Sequence, residues 1–124
     1  MPVMANSLIL LTTDLATQSK VAGNLAAAGI PCQVAMSVAR LHELLGQAPQ
    51  SIVAIDLATA GSKATSLIVE LKQRNPAPAA VVAFGPHVHE AALAAAQNAG
   101  ADGVYARGQF LMQAGDILRQ WSVE

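Results

Sequence analysis

The sequence predicts an α/β fold, a parallel sheet with helices on both faces, on three observations. Five apolar, strand-like runs recur at fairly regular spacing: Leu8 to Thr12, Gln33 to Met36, Ser51 to Ile55, Ala80 to Phe84 and Gly103 to Ala106. Helical patterns of about 10–15 residues separate them, which is the spacing of βαβ crossovers. The central run Ser51-Ile52-Val53-Ala54-Ile55 is continuous rather than alternating, as a strand covered on both faces must be.

The first helix is predicted from Leu15 to Ala28, with Val21, Ala22 and Leu25 on its buried face and Gly29 as its stop. Ser37 caps a short second helix in which Val38, Leu41, Leu44 and Leu45 recur at helical spacing and Gly46 supplies the C-terminal signal. The third helix begins near Ser62 and sets Leu67, Ile68 and Leu71 on one side. Asn75-Pro76 ends it, since the residue before proline avoids helical geometry. His89 to Ala99 forms a fourth helix, mostly alanine, with Leu93 its single large apolar side chain and Gly100 its stop. The last helix runs from Phe110 to Trp121 and presents Leu111, Ala114, Ile117, Leu118 and Trp121 as a stripe that packs on the sheet. Ala77-Pro78-Ala79-Ala80 and the Gly85-Pro86 turn fit between helix and strand, and no internal repeat or charge block interrupts the order.

One hydrophobic core serves roughly 100–150 residues, so residues 1–124 are read as a single domain. A net charge of −1, with no basic cluster beyond Lys72 and Arg74, sets up no field for a polyanion, so nucleic acid is not an expected partner. Charged residues make up 12% of the chain, against about 25% in ordinary domains, a surface that favours self-association into a homodimer. Every apolar run is well short of the roughly 18 residues of a transmembrane helix. Met1-Pro2-Val3-Met4-Ala5-Asn6 lacks the basic region of a signal peptide. Cys32 is alone, which excludes an intramolecular disulfide and a site of paired thiolates. It is read as an inert packed thiol, and a cytoplasmic location is expected.

Asp56 closes the central strand. A charge at the carboxyl end of a buried strand emerges at the sheet rim, where open α/β folds place their ligands. Leu8-Ile9-Leu10-Leu11 runs into Thr12-Thr13-Asp14, Gly29 follows the first helix, Ile52-Val53-Ala54-Ile55-Asp56-Leu57 forms the middle, and Asn98-Ala99-Gly100-Ala101-Asp102-Gly103 precedes the fifth strand. Together these segments resemble the receiver domain of two-component response regulators (CheY-like, flavodoxin-like) across essentially the entire chain. The resemblance implies a doubly wound (βα)5 fold, a five-stranded parallel sheet in the order 2-1-3-4-5, with Asp56 at the phospho-acceptor position.

The same resemblance exposes departures. Receivers carry two adjacent acids after the first strand that hold Mg2+ beside the acceptor; Thr12 and Thr13 stand there, and Asp14 is one place beyond, where it caps the first helix. The acidic pocket is degenerate, so no cofactor is expected, and Mg2+ only as a weak ligand of Asp14 and Asp56. A receiver's fourth strand ends in a switch hydroxyl, whereas Phe84 here leads into Gly85. Arg107 stands at the position of the receiver lysine and Gly108 at that of the cis-proline; a guanidinium keeps the charge in a different shape. Asp56 is expected to pair with Arg107, an attraction of a few kcal/mol at about 4 Å before desolvation.

Phosphoryl transfer to a carboxylate crowds negative oxygens together, so it depends on Mg2+ and a cation. With those parts depleted, the resemblance implies a pseudo-receiver: a non-enzymatic signalling module that recognises another signalling protein, a histidine kinase or an output protein. Its contact face is formed by the fourth helix, the fifth strand and the last helix, where small side chains give a smooth surface. Two alternatives stay open. One is a single-domain response regulator phosphorylated on Asp56 by a histidine kinase; the other is a small-molecule sensor at the rim, in a pocket around Thr12, Thr13, Asp56 and Gly85. Because the chain ends shortly after Trp121, output is expected to pass through a partner. Other signals carry less. Thr12-Thr13-Asp14-Leu15 is not a phosphate-binding glycine loop, His87-Val88-His89 reads as a polar turn, His42 as solvent-facing, and Ser37, Ser62, Ser66 and Ser122 lack a nucleophile signature.

Overall fold

The five apolar runs pair as one parallel sheet in the computed structural model, which describes residues 7–121. The expectations for Met1 to Asn6 and for Ser122 lie outside the described residues. The strands are β1 (Leu8–Leu11), β2 (Cys32–Ala35), β3 (Ile52–Asp56), β4 (Ala80–Gly85) and β5 (Gly103–Ala106), in the order β2-β1-β3-β4-β5. The predicted fold class and strand order are therefore found. Every residue of β1, β3 and β4 is buried, which is why those runs show no alternation in the sequence.

The helices are α1 (Leu15–Ala27), α2 (Val38–Gln47), α3 (Leu57–Ala60), α4 (Ala64–Lys72), α5 (Glu90–Asn98) and α6 (Arg107–Leu118). Alternate strand residues feed two cores. Ile9, Leu11, Val53, Ile55 and Val81 pack with Leu41, Leu44 and Leu45 of α2 and Leu67, Ile68 and Leu71 of α4. On the other face Leu8, Leu10, Ile52, Val82 and Phe84 meet Val21 and Leu25 of α1 and Phe110, Ile117 and Leu118 of α6. The rings of Phe84 and Phe110 stack with centroids 4.5 Å apart. Each such fully buried side chain contributes about 1.5–3 kcal/mol of transfer free energy, so the double core is what holds helices this weakly patterned in place.

Several predicted boundaries move. Thr12 falls just beyond β1, and β2 starts at Cys32, so Met36 leaves the sheet and is exposed. Ala22 faces solvent, leaving Val21 and Leu25, joined by Thr17, as the buried side of α1. Gly46 lies inside α2, which continues to Gln47, while Gly29 and Gly100 do take the positive φ of a helix stop. The region from Leu57 to Lys63 holds α3 and a 3-10 turn (Gly61–Lys63), so the third long helix starts at Ala64 rather than Ser62 and ends at Lys72, before Asn75-Pro76. The last helix begins at Arg107 rather than Phe110, and Trp121 sits in a following 3-10 turn (Arg119–Trp121), partly buried against the Phe110 core. His42 is partly buried rather than solvent-facing: Arg74 Nη1 lies 3.0 Å from its Nδ1 and Glu70 Oε2 3.6 Å from its Nε2. Cys32 is partly buried, and burial pushes its thiol up to about 11, as an inert thiol requires.

Between β1 and β3 the sheet order reverses, because one chain crossover leads outward to β2 and the other to β4. The carboxyl ends of these two strands are where a doubly wound sheet opens a crevice. Thr12 and Asp56 sit at those ends.

Candidate functional site at the carboxyl edge of the sheet

Asp56 is the last residue of β3 and the N-cap of α3, so its carboxylate is aimed along the sheet rim while its backbone stays in the ladder. Its residue is 1% exposed. A buried carboxylate survives only if hydrogen bonds and a countercharge replace its water, and both are present. Oδ2 accepts from the Thr12 hydroxyl at 2.7 Å and from the Thr59 hydroxyl at 3.4 Å. Oδ1 accepts from the Ala58 amide at 3.1 Å and lies 3.6 Å from Arg107 Nη1. A carboxylate has about four acceptor sites; three take hydrogen bonds here, and the Arg107 charge lies beside them.

Asp14 is the N-cap of α1 and accepts from the Thr17 amide at 3.1 Å and the Thr17 hydroxyl at 2.5 Å. Its Oδ2 also pairs with Arg107 Nη2, which in turn contacts the Thr17 hydroxyl. The Thr17 hydroxyl bond, helped by the Thr17 amide and the Arg107 charge, holds the Asp14 carboxyl below its ordinary value. Arg107, the first residue of α6, thus joins both aspartates. The expected pairing of Asp56 with Arg107 is present as a 3.6 Å ion pair, with the closer guanidinium contact going to Asp14.

Thr12 and Thr13 make distinct contacts. Thr12 is fully buried and points its hydroxyl at Asp56, while its Oγ1 accepts the Asp14 amide at 3.1 Å. Thr13 is exposed and docks on Thr59, its amide 3.1 Å and its hydroxyl 3.3 Å from Thr59 Oγ1. Gly85 is buried at the end of β4, and a Cβ placed there would lie 3.4 Å from Leu57 Cβ and Cδ1. Leu57 fills the space beside Gly85. Gly85 lines a recess of about 40 Å³ with Leu57, Pro86 and Leu93.

Mg2+ needs near-octahedral oxygens and takes one or two carboxylates with several waters. Here the donor set does not fit it: the Asp56 oxygens face hydrogen-bond donors, and a guanidinium lies between the two carboxylates. Among the described residues no group of three or more His, Cys, Asp or Glu side chains comes together, and His87 and His89 are exposed.

Thr17 and Thr59 belong to the cluster although sequence reasoning passed over them. The signal was in plain view. Asp14-Leu15-Ala16-Thr17 and Asp56-Leu57-Ala58-Thr59 are the same tetrapeptide, and in both the aspartate caps a helix and the threonine three residues on turns its hydroxyl back to it. A motif of four residues is short enough to pass as no repeat at all. Its meaning lies in where the fold puts the two copies, side by side on one arginine.

No family model matches the sequence, and neither does any curated protein. Solved structures do match. A signal receiver domain from Bermanella marisrubri superposes with a TM-score of 0.82 at 16% identity, covering 94% of this chain and 98% of that one. A CheY-like protein (tadZ) from Pseudomonas aeruginosa PAO1 gives 0.76 at 23% identity over 94% and 98%. A third, described as an atypical orphan response regulator with a phosphorylation-independent regulatory mechanism, gives 0.73 at 15% identity over 95% and 99%. With its (βα)5 order and its rim aspartate at the end of β3, the chain has the receiver-domain fold of response regulators.

Proposed function

We propose that this chain is a pseudo-receiver, a signalling module that acts by protein–protein contact and independently of phosphorylation. The observation that carries the reading is the occupied state of Asp56: four contacts on two oxygens, one from a threonine where a receiver has an acid. A nucleophilic carboxylate must offer a lone pair to phosphorus while a metal and a cation absorb the charge of the transferring group. Arg107 alone cannot replace the metal, because it is already bound to Asp14 and Thr17. A structural neighbour described as regulating without phosphorylation offers a precedent on the same fold.

The partner, in this reading, is another signalling protein in the cytoplasm, or a second copy of the chain. Among the described residues no helix is long and apolar enough to cross a membrane. The α5-β5-α6 face suits such contact: α5 buries only Ala96 fully, its Ala91, Ala92 and Ala94 face outward, and Val88 ahead of it is 68% exposed. Small exposed side chains lose little rotamer entropy when a partner covers them.

A second reading keeps Asp56 as phospho-acceptor for a histidine kinase, favoured by its place at the end of β3 with a cation 3.6 Å away. Addition of Mg2+ and beryllofluoride to the labelled protein, followed by NMR, separates the two. Unmoved amides around Asp56, and no phosphoryl mass gain with acetyl phosphate, are expected. Saturable shifts centred on Asp56 would replace the first reading with the second.

A further inference from the structure

We propose that a groove beside the Asp56 cluster binds a small organic monoanion, a carboxylate with a short apolar body. The groove opens at the carboxyl end of β1, between the loop that enters α2 and the turn from α3 to α4, on the flank of the β1–β3 reversal where doubly wound sheets take ligands. Its volume is about 360 Å³, within the roughly 300–1,000 Å³ of small-molecule sites.

The lining specifies the ligand class. Buried Leu11 and Leu67 form an apolar floor, and Met36, 55% exposed at the rim, is a flexible wall that an apolar body would cover. Lys63, Thr13 and Thr59 supply the polar side. Arg40, Lys72, Arg107 and Arg119 each pair with a carboxylate, whereas Lys63, like Lys20 and Arg74 elsewhere on the surface, forms no ion pair with a carboxylate among the described residues. An ammonium without a carboxylate partner, beside an apolar floor, matches one negative charge on a hydrophobic molecule. The α2 N-terminus, capped by Ser37 at the same rim and without an acid in its first turn, adds to the positive potential. A phosphate dianion would need a second cation, and the neighbouring Arg107 is bound to Asp14.

The site also touches the rim cluster. Thr59 Oγ1 accepts the Thr13 amide at 3.1 Å and donates to Asp56 Oδ2 at 3.4 Å, so a carboxylate that accepts from the Thr13 hydroxyl meets the same hydroxyl lattice that holds Asp56. The inference goes beyond the pseudo-receiver reading and does not require it.

The test is an NMR titration of the labelled full chain with sodium benzoate, run beside benzamide and sodium phosphate without metal or phosphoryl donor. Benzoate is expected to give saturable shifts at Thr13, Met36, Val38, Thr59 and Lys63, with benzamide and phosphate at least about tenfold weaker. Lys63→Gln, at an exposed position, is expected to weaken benzoate about tenfold while leaving the rest of the spectrum in place. Absence of saturation, equal binding of benzamide or phosphate, or an unchanged benzoate affinity in Lys63→Gln would each overturn the site. None of these results bears on whether Asp56 accepts phosphate.

Discussion

The Thr12 hydroxyl donates to Asp56 Oδ2 at 2.7 Å, from the residue that follows β1 to the residue that ends β3, and both side chains are buried. An acid at position 12 would set two like charges at this distance and call for a metal between them. A hydroxyl turns the same contact into an attraction. The rim is thereby self-sufficient, and the consequence is measurable.

Thr12→Val keeps the shape and removes the donor. Hydrogen bonds to charged groups contribute about 1.5–3 kcal/mol, and a buried acceptor left short carries its desolvation cost. Urea unfolding is expected to show a loss of that order with an unchanged m-value. Thr12→Asp is expected to destabilise the metal-free protein further and to make its stability respond to millimolar Mg2+. A Thr12→Val protein as stable as the parent would show that Asp56 does not depend on this bond.

Arg107 binds α6 to the N-terminus of α1 and to the end of β3 at once. Arg107→Ala leaves buried Asp56 without its countercharge. Because the guanidinium keeps 28% exposure, the full cost of breaking a buried pair is reduced by solvent, to about 1–3 kcal/mol. Arg107→Lys is expected to recover only part of it, since an ammonium cannot reach Asp14, Thr17 and Asp56 from one planar fork. Thermal melts of the three proteins should fall in the order Arg, Lys, Ala; equal melting of Lys and Arg proteins would mean that charge alone matters.

Asp14 gives the acid limb its sign. Its folded pKa lies below the ordinary 3.8, chiefly through the Thr17 hydroxyl bond. A depressed carboxyl binds fewer protons folded than unfolded, so its stabilisation is complete above the unfolded value and is lost as pH falls through the folded one. Stability should therefore decline below about pH 4 with a contribution from Asp14. Thr17→Val is expected to move the Asp14 titration, followed by its side-chain carbon shift, back toward the unfolded value and to flatten that decline. A titration unaffected by Thr17→Val would reassign the cause to Arg107.

How much of this was legible follows from what each pattern measures. Continuous burial wrote Leu8 to Leu11 and Ile52 to Ile55 into the sequence, because a strand covered on both faces has no polar option. The rim aspartate followed from the same pattern. By contrast α3 spans four residues, too few for a period of 3.6 to register, and its Thr59 went unnoticed with it. The sequence pattern starts α6 only at Phe110, because Gly108 and Gln109 break the apolar stripe, although Arg107 is already helical. The three-way contact of Arg107 with Asp14, Thr17 and Asp56 spans up to 93 positions, and no local pattern carries such a distance.

The α1–α6 seam offers a test of a close helix–helix approach. Gln113 leaves helical geometry at φ −125° and ψ 20°, which breaks the regular bonding of α6. The Asn24 side chain fills the gap, donating to the Met112 carbonyl at 3.0 Å and accepting the Gly115 amide at 2.8 Å. Gly115 is buried, and a Cβ there would sit 2.9 Å from Ala28 Cβ and 3.3 Å from Asn24 Oδ1. Glycine is required by this closeness and not by an unusual backbone, since its φ is not positive. Gly115→Ala is expected to cost about 1–3 kcal/mol by overpacking, and Asn24→Ala about 1–3 kcal/mol by leaving the Gly115 amide unpaired. Adding Ala28→Gly to Gly115→Ala removes the facing methyl and should restore part of the first loss, less about 0.5–1 kcal/mol for a new glycine near a helix end. A double-mutant cycle by urea unfolding reads the coupling between positions 28 and 115 directly. Zero coupling would place the two helices farther apart than the Asn24 bonds allow.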